Sequence, residues 1–506
     1  MNENRNQQSI SRRKFLAYLG STAATAAIAS SALSPLVESA AASGSASPAA
    51  VKPIAFPQLA PQKTNRLTVA SGYIASPITD PSSLMSNAKY IRQVEYWQGN
   101  RENTGVLWAC GQTVAHEASL SDSGSLLIDI QRRHNGLWTK SDSFRELNAN
   151  SRLAFTGPGK NARSLNGASI AQGVWSNGYG GMTPWGTMLA GESTYNKGAH
   201  IAGINPQSYG WTAEIHSADT GITAYKHTAL GRFSHGSMNI AIAASGHAVV
   251  YMTGGQVFFK YVSRGKYDPA AGIGNSRLLE DGKLYAADLG GGQWLELSVE
   301  PIRRILGDPS YRMPAGVQRL REELLGLLKE QADVLAYAEE SALVLGATLL
   351  EHARGIALHP VDQSVFLSQT GNDRAGHGHG SIIRILEKNN DAAATGFQSD
   401  QMVTGGLRSA ISSPGPLAFD PFGRLWVATD ITAEQLHQGA YAPFGNNALY
   451  MLAPSGDAFD KAQAFAYAPG SAVLSAPAFA PDGSIFAAVC SLENAEHNAV
   501  VAITKA

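Results

Sequence analysis

Three segments in the second half of the chain share one pattern and place an aromatic residue every sixty positions. Each segment contains a short apolar strand, a turn with proline and an alternating strand, and the aromatics are Phe366, Trp426 and Phe486. Weaker copies occur at 239–252 and 280–289. Repeated hairpins are typical of propellers and solenoids, in which each unit buries one face against the next. The pattern therefore predicts an all-β propeller with the three aromatics in equivalent core positions.

One stretch departs from this β pattern. Between 315 and about 345, apolar residues recur with helical spacing, and Pro314 stands where a first-turn proline is favoured. We expect a helical insert that is bent at Gly326 or Asp333 and packs on a blade as a lid or clasp.

The N-terminus has the features of an export signal. Arg12 and Arg13 lie in a twin-arginine pattern, an alanine-rich run follows, and small residues at 39–42 offer a cleavage site. We therefore expect a signal peptide over 1–42, a flexible Ala/Ser/Pro-rich leader over 43–65 and the propeller over 66–506. The protein is then periplasmic or secreted. A transmembrane anchor is the alternative, but the apolar run is short and rich in Ala, Ser and Thr.

The charge of the chain bears on which partners the protein can bind. The chain has 39 Lys and Arg against 40 Asp and Glu, and no basic stripe, which argues against nucleic acid. We expect a monomer with no integral membrane segment after signal removal.

Cys110 and Cys490 are the only cysteines. Whether these two cysteines pair is left open, because one possible disulfide is not a disulfide scaffold.

The stretch 177–192 is the most unusual local string, with Thr-Pro-Trp-Gly-Thr at its centre. Pro184 fixes the backbone and removes a donor, while Gly180, Gly181 and Gly186 permit close approach or a left-handed conformation. One interpretation is a turn that holds backbone and the carboxylate of Glu192 around a ligand. The other is a tight hairpin with a buried tryptophan.

The same stretch resembles the signature of the PhoX-type alkaline phosphatases. Further segments, in the same order along the chain, are also similar to that family, and they lie at 209–215, 228–235, 332–348, 417–426 and 445–447. The resemblance therefore covers almost the whole mature chain. It implies a six-bladed propeller with an active site in the central channel. In that family the site holds iron and calcium and hydrolyses phosphate monoesters, so these are the cofactors implied here.

The resemblance fails at the family's reactive positions. Its iron-binding cysteine is replaced by Gly178, one glutamate by Gly236, and an aspartate-bearing string now has Gly415. A family arginine and glutamate are replaced by His352 and Arg354. Hard cations need oxygen ligands and negative charge, so these replacements argue against a multi-cation cluster of the family type.

The remaining polar residues give a set of candidates for the channel. They are Glu117 and Glu192 as metal ligands, Asn177 and His235 as substrate-binding residues, and His352 and Arg354 as catalytic residues. Each has an alternative as a buried hydrogen-bonding residue. Arginine presents a planar fork suited to phosphate or carboxylate, so an anion can be bound without metal.

Two functions follow from these residues. The first is an exported member of the phosphate-monoester hydrolase family with a rebuilt metal site. The second is a pseudoenzyme, a non-catalytic propeller that binds a small phosphate ester, another anion or a protein partner.

Overall fold

The computed structural model describes residues 54–79, 90–99, 101, 103–111, 124–148, 150–175, 177–193, 205–218, 221–371, 378–455 and 458–506. Only the backbone is described for 142–144, 177, 218 and 495. The predicted signal peptide and residues 43–53 of the predicted leader lie outside these ranges. Within them, no helix has the length and apolar character needed to cross a membrane.

Six blades surround a central channel. The first two strands belong to the last two blades and are β1 (Thr68–Val69) and β2 (Tyr73–Thr79). Blade 1 contains β3 (Ile91–Gln98), β4 (Thr104–Gly111), β5 (Gly124–Arg132) and β6 (Trp138–Leu147). Blade 2 contains β7 (Arg152–Thr156), β8 (Ile170–Gln172), β9 (Asn177–Met182), β10 (Met188–Glu192), β11 (Thr212–Ala218) and β12 (Gly221–His227). Blade 3 contains β13 (His235–Ile242), β14 (His247–Gly254), β15 (Val257–Lys266), β16 (Gly282–Asp288) and β17 (Gln293–Glu296).

Four helices separate blade 3 from blade 4, and they are α1 (Val299–Gly307), α2 (Arg321–Leu327), α3 (Gln331–Ala336) and α4 (Ala338–Leu345). Blade 4 contains β18 (Ala353–Leu358), β19 (Val365–Gln369), β20 (Ser381–Glu387) and β21 (Phe397–Thr404). Blade 5 contains β22 (Pro414–Phe419), β23 (Leu425–Thr429), β24 (Ala448–Leu452), the small hairpin β25 (Pro454–Ser455) and β26 (Ala458–Phe459), and β27 (Gln463–Tyr467). Blade 6 contains β28 (Val473–Leu474), β29 (Ala478–Phe479), β30 (Ile485–Cys490) and β31 (Ala499–Lys505).

The N-terminal strands close the ring. β1 pairs with β27 in blade 5, and β2 pairs antiparallel with the C-terminal strand β31 in blade 6, where Tyr73 lies opposite Lys505. The two ends of the described chain therefore share one blade. Closure of this kind leaves only short, protected sheet edges.

The three repeated aromatics occupy equivalent positions, as the sixty-residue period predicts. Phe366, Trp426 and Phe486 lie on the second strand of blades 4, 5 and 6, and all three are buried. Each lies opposite an alanine of the inner strand, and these alanines are Ala357, Ala418 and Ala478. The upstream copy at 239–252 also forms an inner hairpin, β13–β14, but 280–289 lies on the outer strand β16 and is not an equivalent repeat.

Apolar side chains fill the spaces between neighbouring blades. Between blades 6 and 1, for example, Tyr96 stacks on Phe486 with 5.1 Å between ring centroids, and the edge of Trp138 meets Phe486. Aromatic pairs of this geometry stabilise by about 0.5–1.5 kcal/mol beyond their area burial. The core is therefore a ring of blade-to-blade contacts around the channel.

The helical insert packs on blade 3, but it is not one bent helix. The chain breaks at 328–330 and at Tyr337, so neither Gly326 nor Asp333 is the bend that the sequence suggested. The Asp333 carboxylate instead accepts hydrogen bonds from the backbone N–H groups of Lys329 and Glu330, both at 3.0 Å. It thus caps α3 and satisfies donors that a helix start leaves free.

Candidate functional site

The inner strands of the six blades line a cavity of about 190 Å³. Five of these strands place their second residue at the same end of the channel, and these residues are Arg92, Gly178, Gly236, Arg354 and Gly415. Two of the five are arginines and three lack a side chain. We call this end of the channel the arginine end.

Asp430 links the two arginines. Its Oδ2 lies 3.4 Å from Arg354 Nε and 3.9 Å from an Nη of Arg92. Asp430 follows β23, which runs antiparallel to β22, so the end of β23 lies beside the start of an inner strand. Burial alone would raise the pKa of Asp430, but the charges of Arg354 and Arg92 outweigh it and the pKa is lowered. Asp430 is therefore an ionised carboxylate shared by two cations.

Arg92 also contacts Tyr179 on β9 and the thiol of Cys490 at the end of β30. Cys490 and Cys110 are both buried free cysteines, so the two do not form a disulfide. Burial is the larger influence on Cys490 and raises the pKa of its thiol. The thiol is thus a neutral neighbour of Arg92 and not a second anion.

The two guanidinium groups keep unused donors. Among the described residues, Nε of Arg92 has no hydrogen-bond partner, and Nε of Arg354 has only its ion-pair contact with Asp430. The Arg92 side chain is 11% exposed and the Arg354 side chain 42% exposed. Two cations with one shared carboxylate leave a net positive charge, and charge-assisted hydrogen bonds to an oxyanion are the interaction that such a site favours.

Glu192, a predicted metal ligand, lies in a buried ion pair away from the cavity. Its Oε1 accepts from Lys226 Nζ at 2.8 Å and from the Trp175 N–H at 2.7 Å. Its Oε2 accepts from the N–H groups of Gly210 and Trp211, at 2.9 and 3.1 Å. Both ion-pair side chains are fully buried. The carboxylate is therefore engaged within blade 2, and we do not include it in the site.

The Thr-Pro-Trp-Gly-Thr string forms the β9–β10 turn, at the opposite end of the inner strand from Gly178. Trp185 is buried, and its Nε1 donates to Glu214 Oε1 at 2.7 Å. His227 Nε2 lies 2.8 Å from the other oxygen of Glu214. Gly186 has φ of 81°, which a glycine adopts without strain. These contacts agree with the tight hairpin with a buried tryptophan, and two residues of the turn, at 183 and 184, line the cavity.

Of the other predicted residues whose side chains the structure describes, only Arg354 reaches the cavity lining. His235 is 1% exposed, with its ring 3.9 Å from that of Phe233, and burial lowers its pKa to about 3. His352 is exposed, with φ of 57°, just before β18. The side chain of Asn177 and all of Glu117 lie outside the described residues.

Comparison with known proteins identifies the family. The family model described as alkaline phosphatase PhoX matches residues 72–491. The chain belongs to the alkaline phosphatase PhoX family. PhoX of Pseudomonas fluorescens, solved in complex with vanadate, a transition state analogue, is similar in structure with a TM-score of 0.74 at 22% identity. That match covers 89% of this chain and 98% of the other.

More distant structures resemble this PhoX family member far less. A gluconolactonase from Xanthomonas campestris has a TM-score of 0.33 at 11% identity, with 88% of this chain and 98% of that chain covered. A luciferin-regenerating enzyme has a TM-score of 0.35 at 9% identity, covering 86% and 95% of the two chains. No curated protein sequence matches the chain.

The described part of this PhoX family channel does not fit an iron–calcium cluster. A Cβ at Gly236 would collide with Thr253 Oγ1, and one at Gly415 would lie 3.2 Å from Asp430 Cβ. An acidic side chain at either position would therefore require its neighbours to move. Within the described ranges, no three His, Cys, Asp or Glu side chains are grouped to hold a metal ion.

Sequence reasoning missed Arg92, Tyr179 and Asp430. A signal for Arg92 exists, since it is the second residue of an inner strand, just as Arg354 is. Asp430 carries no such signal, because it follows its strand and reaches the channel only through the pairing of β22 with β23.

Proposed function

We propose that the arginine end binds a small oxyanion, such as a phosphate monoester or a carboxylate, without an iron–calcium cluster. The observation that carries this proposal is that Arg92 and Arg354 share the single carboxylate of Asp430 and keep unused donors. The complex of the Pseudomonas fluorescens relative with vanadate supports an oxyanion as the ligand class. We also propose export by the twin-arginine route, supported by Arg12 and Arg13.

The channel suits a small ligand. Its cavity of about 190 Å³ is below the ~300–1,000 Å³ of typical drug-sized sites. Arg92 lies deep and is held by Tyr179, whereas Arg354 is more exposed and reaches the ligand from another blade. An oxyanion between them would take parallel N–H donors from both, and exclusion of water would strengthen each bond.

Replacing either arginine by glutamine is expected to weaken binding of inorganic phosphate or vanadate about ten- to hundred-fold, since hydrogen bonds to charged groups contribute about 1.5–3 kcal/mol. Asp430→Asn should act in the opposite direction and tighten binding, because it removes the anion that competes with the ligand. Isothermal titration calorimetry measures both effects. Arg384→Gln is the matched control, since Arg384 pairs with Asp400 in the same blade as Arg354 but away from the cavity. Equal affinities in all four variants would overturn the proposal.

We further expect little or no phosphomonoesterase activity. Phosphoryl transfer needs the developing charge to be neutralised by cations such as metal ions. Among the described residues, the arginine end has one carboxylate, Asp430, which is paired with both arginines. Purified protein should contain far less than one iron per chain by elemental analysis, and nitrophenyl phosphate should be hydrolysed at the rate of a blank, with or without calcium.

Family membership favours one alternative, an active phosphatase. Its missing ligands would come from 112–123, the segment that holds His116 and Glu117 and lies outside the described residues. Calcium-dependent hydrolysis that is lost in Glu117→Gln would establish this alternative and refute a metal-free site.

A further inference from the structure

A second charged group lines the same cavity. Glu95 lies on β3, three residues after Arg92 and therefore about 10 Å along the strand. Its Oε1 accepts a hydrogen bond from Gln93 Nε2 at 2.6 Å. Glu95 was not among the residues that the sequence pointed to.

Gln93 is itself fixed by the neighbouring blade. Its Nε2 donates to the Gly180 carbonyl at 2.9 Å, and its Oε1 accepts from the Gly180 N–H at 3.0 Å. These two hydrogen bonds to Gly180 fix the orientation of the Gln93 amide. Both hydrogens of its NH2 group are donated, one to Gly180 and one to Glu95. Glu95 is therefore a positioned carboxyl group.

The other oxygen of Glu95 accepts no hydrogen bond from the described residues. Burial raises the pKa of Glu95 to about 7, and the hydrogen bond from Gln93 opposes only part of that. Above pH 7 the cavity thus contains a carboxylate without a cationic partner of its own. Such a group binds a cation more favourably than it binds a neutral donor.

Among the described residues, few other titratable groups lie near Glu95. Cys110 approaches from β4, and burial raises the pKa of its thiol well above the usual value. Tyr179 lies on β9, Arg92 and Arg354 line the arginine end of the same cavity, and Asp430 is paired with both arginines. The cavity therefore has a cationic end and, deeper along β3, one carboxylate.

We infer that Glu95 recognises the ammonium group of a zwitterionic ligand, an aminoalkyl phosphate whose phosphate is held by Arg92 and Arg354. This inference rests on the proposed function, because it assumes an oxyanion at the arginine end. The cavity lining also includes the apolar residues Met182, Ile240 and Leu358, which suit an alkyl ligand.

The test compares matched ligands that differ only in the amine. At pH 8, 2-aminoethyl and 3-aminopropyl phosphate should bind the full-length mature protein at least ten-fold more tightly than ethyl and propyl phosphate. Glu95→Gln should abolish that preference while leaving the affinity for alkyl phosphates within about three-fold. Glu95→Asp, which withdraws the carboxylate, should reduce the preference and gives a second variant. Glu146→Gln is the control, since Glu146 lies in the same blade and outside the cavity lining.

The outcomes separate the two proposals. Tight binding of alkyl phosphates with no preference for the amines would overturn the role of Glu95 and leave the arginine end intact. A preference that persists in Glu95→Gln would also overturn it. Failure of every phosphate, including inorganic phosphate, to bind would refute the arginine site itself.

Discussion

Replacing Lys226 by methionine is expected to lower the free energy of unfolding by about 3–5 kcal/mol. Lys226 Nζ donates to Glu192 Oε1 at 2.8 Å and to the Ser208 carbonyl at 2.7 Å, and neither ion-pair side chain is exposed. Removing the ammonium leaves a carboxylate buried in blade 2 without its cation. Three backbone N–H groups still donate to Glu192, so the loss is that of the ion pair and not of every hydrogen bond. Urea unfolding of the wild type and of Lys226→Met measures this loss of unfolding free energy.

An exposed ion pair supplies the matched control. Lys283 pairs with Glu296 at 2.9 Å, but their side chains are 57% and 40% exposed, so Lys283→Met should change stability by less than about 1 kcal/mol. The double variant Lys226→Met/Glu192→Gln should recover part of the loss, because it removes the uncompensated charge. A small effect of Lys226→Met would argue against the structural role of Glu192. A melting temperature that chelators lower in the wild type but not in Glu192→Gln would support its predicted metal role instead.

The propeller could be predicted because large core residues recur with the sixty-residue period of its blades. Phe366, Trp426 and Phe486 each fill the same space between blades, so their spacing in sequence reports the spacing of the blades. The segment 280–289 has similar residues but belongs to an outer strand. Local pattern indicates a strand there, whereas its place in the blade depends on pairing with β15.

In the helical insert, too, the local sequence pattern predicts the type of element but not its exact bounds. Its apolar spacing predicts helix, and helices form, but the positions of their ends depend on tertiary contacts. The backbone N–H of Arg232 donates to the Leu335 carbonyl at 2.8 Å, which ties α3 to the segment before blade 3. Asp333 bonds both the backbone before α3 and Arg163. Partners so distant in sequence leave no local signal.

The candidate site was only partly predictable for a related reason. Arg354 was found because it occupies a recognisable family position, and Glu192 was proposed because its motif is conspicuous. The contacts that decide their roles come from elsewhere in the ring: Asp430 from blade 5 for Arg354, and Lys226 from β12 for Glu192. The fold determines which charged residues from different strands and blades form ion pairs. These pairs cannot be predicted from the spacing of residues in the sequence.

His235 is expected to make the protein sensitive to acid. Burial lowers its pKa to about 3, so the folded protein keeps the ring neutral while the unfolded chain takes up a proton near pH 6.5. Stability is therefore unaffected by His235 above pH 6.5 and falls as the pH drops from 6.5 toward 3. At about 1.4 kcal/mol for each unit of pKa difference, the loss is on the order of 5 kcal/mol.

His235→Phe tests this directly, because phenylalanine can occupy the ring's place beside Phe233 and Gly191 but cannot take up a proton. The unfolding free energy of the variant should fall less than that of the wild type between pH 6.5 and 4, measured by urea titration at several pH values. Parallel pH profiles would show that His235 is not the titrating group. Phosphate affinity at pH 7.5 should stay within about three-fold of wild type, since His235 lies outside the cavity lining. A large loss of affinity with an unchanged pH profile would instead restore His235 to the substrate-binding role that its position in the sequence suggested.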